Sequence, residues 1–192
     1  HVEGCAAMSD IADVVAVCDI DEPKARRVAE RFGAAVFTDY RRLIDDADVD
    51  LLDIILPHNL HYPVTLYALQ RGKHVLVEKP MTDDSAEAAE LVQLAQQHNC
   101  VLQVGHVERF NPVFTYLESV ATQPRFIETH RLSPYPARST DIGVVLDLMI
   151  HDLDVVLAFV KSPVISVDAV GIPVLSKSED IANARLRFAN GC

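Results

Sequence analysis

Four short and almost uninterrupted apolar runs, Val14 to Cys18, Leu51 to Leu56, Val75 to Val77 and Val101 to Val104, punctuate the first half of this chain. A half-buried strand alternates apolar and polar residues, whereas continuous β-branched runs belong to strands covered on both faces, as in a parallel sheet. The intervals carry helix signals. Glu22 to Phe32 has Pro23 near its start and Gly33 past its end, His61 to Arg71 is closed by Gly72, and Tyr40 to Asp46 and Ser85 to His98 also read as helices. Strand and helix in alternation predict an α/β fold, a doubly wound parallel sheet with right-handed crossovers.

The pattern changes near residue 120. Arg125 to Leu132 reads as a strand, Ser133 to Asp141 as a Pro/Ser/Arg loop, Gly143 to Val160 as one long helix, and Val164 to Ile172 and Ala182 to Phe188 as strands, with a hairpin turn at Asn190-Gly191. The expected organisation is an incomplete dinucleotide-binding type of domain over 1–120 and the beginning of an α+β domain with an open sheet over 121–192. His1 to Ile11 reads as a helix with no strand before it, and no G-x-G-x-x-G occurs. The first sheet is therefore expected to lack its first strand, and the sequence to be an internal stretch of a longer chain.

With 192 residues, 49% of them hydrophobic, the chain can bury a core. It has no run of about 18 uncharged apolar residues and no secretory leader, so a soluble, cytoplasmic protein without a membrane partner is expected. A net charge of -11 opposes nucleic-acid binding. Cys5, Cys18, Cys100 and Cys192 show no Cys-x-x-Cys spacing, which fits buried thiols rather than a zinc or disulfide framework. A small soluble substrate remains.

Glu78-Lys79-Pro80 directly follows the run Val75 to Val77, which sets a lysine at a strand's carboxyl end, where open α/β sheets bind ligands. Asp19 follows Val14 to Cys18 in the same way, where a carboxylate accepts from the ribose hydroxyls of NAD and repels the 2′-phosphate of NADP; it also reads as a turn former or helix cap before Asp21-Glu22-Pro23. The helix Gly143 to Val160 is apolar on most sides and expected to be largely buried, with Asp147, His151 and Asp154 on one narrow stripe that suits a cleft better than a solvated face. Gly105-His106 to Asn111-Pro112 sits at another strand end. His58 and His61 flank a further one and fit capping or cofactor-facing roles better than metal ligation. No metal site, G-x-S-x-G elbow or H-E-x-x-H motif is evident.

Asp19, Pro57 with His61, Glu78-Lys79-Pro80, Gly105-His106 to Asn111-Pro112, and Gly143 with Asp147-x-x-x-His151, in this order and spacing, resemble the Gfo/Idh/MocA family of NAD(P)-dependent sugar oxidoreductases. The resemblance implies a Rossmann domain followed by an α/β domain whose open sheet supports a homo-oligomer. It also implies hydride transfer between a sugar or cyclitol carbon and the nicotinamide. On it, Lys79 hydrogen-bonds the reacting hydroxyl, His151 removes its proton and Asp147 orients substrate or His151. Asp19, Pro57, His61, Glu78 and Lys79 face the cofactor, with NAD favoured over NADP. Arg109, Asn111, Arg138 and Asp147 face the substrate, and the Lys79-Pro80 bond is expected to be cis. Gly105 to Pro112 and Asp141 to Asp152 further resemble the branch that oxidises the 3-hydroxyl of UDP-N-acetylglucosamine, where Arg131 and Arg138 meet a diphosphate or are plain surface charge. Inositol or glucose-type dehydrogenation is an alternative. Without the glycine loop, weak NAD binding by this stretch is expected, which leaves a non-catalytic sugar-binding or assembly module as a reading of another class.

Overall fold

Each of the four apolar runs contains a strand in the computed structural model, which describes residues 1–120, 123–134 and 142–192. The chain divides into two units, His1–Val104 and Gly105–Cys192, ahead of the composition change near residue 120. The first unit runs α1 (Val2–Ala7), β1 (Ala16–Cys18), α2 (Glu22–Ala29), β2 (Ala35–Phe37), α3 (Tyr40–Asp46), β3 (Leu51–Ile54), a 3₁₀ turn (His58–Leu60), α4 (His61–Gln70), β4 (His74–Val77), α5 (Ser85–Gln97) and β5 (Leu102–Val104). This is the Rossmann type of α/β fold, and every strand pair in this unit is parallel. The ladders form two groups, β1-β2 and β3-β4-β5, and among the described residues no strand pairs the remaining edge of β1 or of β3.

Local chemistry explains the helix positions. Asp21 caps α2 by accepting from the Lys24 N–H at 3.1 Å, Asp39 caps α3 through the Arg41 N–H, and Asp84 caps α5 through the N–H groups of Ala86 and Glu87. Gly33 and Gly72, past α2 and α4, have φ of +67° and +70°, the left-handed conformation that releases the chain from a helix end. β2 was not anticipated: Ala35-Val36-Phe37 is too short a run to separate from its helical flanks. The core joins Leu43 and Ile44 of α3, Ile54 of β3, Val64, Ala68 and Leu69 of α4, Val75 and Val77 of β4, and Leu91 and Ala95 of α5.

The second unit contains a 3₁₀ turn (Val107–Phe110), α6 (Pro112–Val120), a π-helical turn (Val145–Met149), α7 (Ile150–Val160), β6 (Val164–Ile172) and β7 (Ile181–Phe188). β6 and β7 pair antiparallel, giving the expected change of class. The Asn190-Gly191 signal forms a turn in which the Gly191 N–H donates to Phe188 O and the Phe188 N–H to Cys192 O, with Gly191 at φ +86°. Two expectations are corrected. Arg125 to Leu132 is irregular, because its β propensity finds no ladder partner among the described residues. The segment Gly143 to Val160 begins as a π turn and is mostly half-buried, with only Gly143 and Val160 buried, because an open apolar cleft of about 640 Å³ lies between it and the two-stranded sheet, lined by residues such as Met149, Leu153, Val167 and Leu186.

Leu69 is fully enclosed among α3, α4, β4 and α5. Leu69→Ala is expected to lower stability by about 2–5 kcal/mol, read as a lower urea midpoint at unchanged slope; a loss below about 1 kcal/mol would show that the core closes over the gap.

Candidate active site

The ladder of β4 decides where Lys79 lies. Val75 and Val77 are 0% exposed, β3 and β5 pair both edges, and the Glu78 N–H adds one more rung to Ile54 O at 3.0 Å. Lys79 is the next residue, half-buried at the carboxyl edge, and the Lys79-Pro80 bond is cis as the resemblance implied. The Lys79 N–H donates to Glu78 Oε2 at 3.1 Å.

Asp19 lies at the carboxyl end of β1, its N–H donating to Phe37 O at 3.2 Å. Its Oδ1 accepts from the Asp21 N–H at 3.0 Å, and its Oδ2 lies 2.6 Å from Lys24 Nζ. The Lys24 ammonium first, and the Asp21 N–H second, hold its carboxyl below the ordinary range. Asp19 is therefore an anion at a strand end, and the helix cap here is Asp21, not Asp19.

His61 differs from the cofactor-facing expectation. It is 2% exposed, with Nδ1 2.6 Å from Pro80 O and Nε2 2.8 Å from Leu56 O, so both ring nitrogens are engaged by the main chain. Pro57 is exposed and begins the 3₁₀ turn, in which His58 Nε2 lies 3.4 Å from Asp83 Oδ2. Glu78 turns inward as well: its Oε1 is 2.9 Å from His1 Nε2, while His1 Nδ1 is 3.0 Å from Asp53 Oδ2. Burial, with the neighbouring Glu78 charge adding to it, pushes the Asp53 carboxyl upward. This Asp53-His1-Glu78 chain was not anticipated. The available signal was an acid inside the apolar run Leu51 to Leu56.

In the second unit, Asp147 lies within the π turn and His151 in the first turn of α7, both half-buried; π turns recur at functional sites. A Cβ at position 143 would meet the carboxylate of Glu179, the far end of a flexible side chain, and displace it. Asp154, the third residue of the predicted stripe, is 10% exposed and taken by the fork of Arg109, with Nε to Oδ2 at 2.7 Å. Arg131 forks onto Asp152 at 3.0 and 3.1 Å and reaches Glu108 at 3.5 Å. Asn111 caps α6 by accepting from the Val113 N–H at 3.0 Å.

Arg109 and Arg131 thus tie the 105–111 segment and the irregular segment to α7, while Asn111, expected with Arg109 near substrate, caps α6. Each arginine pairs with a carboxylate that no local signal links to it, 45 residues away for Arg109. Arg138 and Asp141 lie outside the described residues.

Residues 1–106 match the Gfo/Idh/MocA family model, described as an oxidoreductase family with an NAD-binding Rossmann fold. The whole chain is 37% identical over 192 residues to a UDP-N-acetylglucosamine 3-dehydrogenase of Acidithiobacillus ferrooxidans, covering 60% of that relative. It is 33% identical over 172 residues, 85% of the chain, to an inositol 2-dehydrogenase of Rubrobacter xylanophilus, covering 49% of it. A solved structure of the A. ferrooxidans enzyme, GnnA, superposes with a TM-score of 0.88 at 35% identity over 99% of this chain and 62% of that one. The chain thus spans about 60% of the length of the first of these relatives.

The Asp19 shift sets a pH dependence. A carboxyl held below its ordinary value of 3.8 contributes stability above that value, and the contribution is lost as pH falls through the lower folded value. The stability difference between wild type and Asp19→Asn should be flat from about pH 7 to 5 and shrink below about pH 4. A difference constant down to about pH 2 would show that Asp19 is not held by Lys24.

Proposed function

We propose that this chain, which belongs to the Gfo/Idh/MocA family of oxidoreductases, acts in hydride transfer between NAD and a ring carbon bearing a hydroxyl group, with UDP-N-acetylglucosamine, oxidised at C3, as the substrate. The observation that carries the reading is Lys79, delivered to the carboxyl edge of the parallel sheet by a ladder that pairs both sides of β4. Its chemical complement is the Asp147-x-x-x-His151 arrangement on the π turn and α7.

The residues present fit a dinucleotide. Asp19 is an anion at the end of β1, and each of its oxygens can accept a further hydrogen bond from a ribose hydroxyl. The same charge disfavours a 2′-phosphate, so NAD is preferred over NADP. Bound NAD supplies the hydride acceptor at the nicotinamide C4.

The Lys79 ammonium donates to the oxygen of the reacting hydroxyl and steadies the charge that develops on it. His151 accepts the hydroxyl proton as the carbon–hydrogen bond releases its electron pair as hydride. Asp147 orients the imidazole or a substrate hydroxyl. Oxidation therefore delivers one proton to the protein and one hydride to the cofactor, and the reverse direction uses the same groups with His151 as acid.

With the full-length protein, NAD and UDP-N-acetylglucosamine should give growth of NADH absorbance. Turnover of inositol or glucose, with none of any nucleotide sugar, would replace the proposed substrate with the one that the 33% identical inositol 2-dehydrogenase points to. Lys79→Ala is expected to lower kcat by at least about a hundredfold with little change in NAD affinity; wild-type turnover would remove Lys79 from the chemistry. Asp19→Ser should raise kcat/KM with NADP relative to NAD, and an unchanged ratio would take the discrimination away from Asp19.

A further inference from the structure

We propose that His61 and His1 are positioning residues for Lys79, two imidazoles that fix the main chain on either side of it. The inference rests on the reading of Lys79 as the donor to the reacting hydroxyl.

The geometry around His61 is that of a cross-link. Its ring bridges Leu56 O, two residues beyond β3, and Pro80 O, three residues beyond β4, at 2.8 and 2.6 Å. The ends of these strands are register partners, Ile54 with Val77. Carbonyl oxygens only accept, so the protonated ring donates to both, while a neutral ring donates to one and lies against the other; in either form both ring nitrogens face the main chain. At 2% exposure, with Pro80 also buried, the bridge is shielded from competing water. It sits immediately C-terminal to Lys79.

The N-terminal side is held differently. The Glu78 N–H is fixed on Ile54 O, and Glu78 Oε2 accepts the N–H of Lys79 itself. Left alone, that carboxylate could swing to solvent. His1 Nε2 holds its other oxygen at 2.9 Å, and Asp53 Oδ2 on β3 holds His1 Nδ1 at 3.0 Å. The path from the middle of β3 to the amide of Lys79 is thus Asp53, His1, Glu78. Both bridges start on β3 or the loop that follows it and end on a residue adjacent to Lys79 in sequence. A lysine has a long flexible stem, so fixing its amide and the next carbonyl sets the direction in which the ammonium leaves the sheet. Misplacing a reacting group by about 1 Å can cost about a hundredfold in rate, so such bridges have a catalytic consequence without touching substrate.

The test uses the full-length protein with NAD and UDP-N-acetylglucosamine and compares wild type, Lys79→Ala, His61→Leu, His61→Asn and His1→Leu. His61→Leu should lower kcat by about ten- to a hundredfold with the NAD Kd within about twofold of wild type. It should also shift the limb of the kcat/KM pH profile that Lys79→Ala abolishes, a readout that a role in folding alone would not move. His61→Asn keeps an amide N–H near the position of Nδ1 and should recover part of the loss. If His61→Leu does not fold, the half-exposed His1→Leu carries the test, with the same shift of that limb expected. Histidine variants that are less heat-stable but keep the wild-type kcat and pH profile would overturn the inference and leave Lys79 in place. Wild-type turnover in Lys79→Ala would instead overturn both readings.

Discussion

The parallel pairing of β4 on both of its edges is the constraint from which the first unit is built. A strand between two neighbours has no free backbone groups to offer solvent, and its inward side chains Val75 and Val77 are enclosed by α3, α4 and α5. The chain leaves this strand at its carboxyl end, one rung after Glu78. A charged side chain cannot be accommodated earlier in the strand without losing core, and Lys79 appears at the first position where the ladder releases it. The position of Lys79 is therefore a boundary condition of the sheet.

That part of the molecule was legible in the sequence because it obeys period and punctuation. Tyr40 to Asp46 is a helix over the residues anticipated, and Val164 to Ile172 a strand over those anticipated. Both signals are local. Failures came where a neighbour decides. Arg125 to Leu132 has strand-forming residues and no ladder, while Ala35-Val36-Phe37 has little signal but lies beside β1 and becomes a strand. Pro112 opens α6 as a proline suits a first helical position, yet it was absorbed into the preceding motif.

At the site, position was legible and direction was not. His61 was placed correctly at the start of a helix after a strand, but a sequence does not say which way a ring turns, and this one turns inward onto two carbonyls. Arg109, Asn111 and Arg131 show the same limit. The polarity of Arg109 and Asn111 suggested substrate and that of Arg131 a diphosphate or plain surface charge, and in the structure they meet Asp154, the α6 terminus, and Asp152 with Glu108. In a chain of net charge -11, basic groups are scarce relative to acids, and a guanidinium that meets a carboxylate in a partly dry setting is held by two parallel hydrogen bonds.

The two units then differ in their kind of rigidity. In the first, hydrogen bonds to main-chain carbonyls and a sheet ladder define where a lysine can be, a geometry that changes little with salt because most of its donors and acceptors are uncharged. In the second, α7 is anchored by ion pairs to the 105–111 segment and to Arg131, and by Phe159 against Phe114 with ring centroids 6.4 Å apart. A helix carrying an imidazole in its first turn, directly after an acid in a widened turn, needs such anchoring, since its apolar faces are only half-covered. Electrostatic anchoring weakens with ionic strength where it is exposed, and the Arg109 side chain is 50% exposed. The lysine is thus set by the more permanent of the two frameworks, and the acid–histidine pair by the one more open to its surroundings.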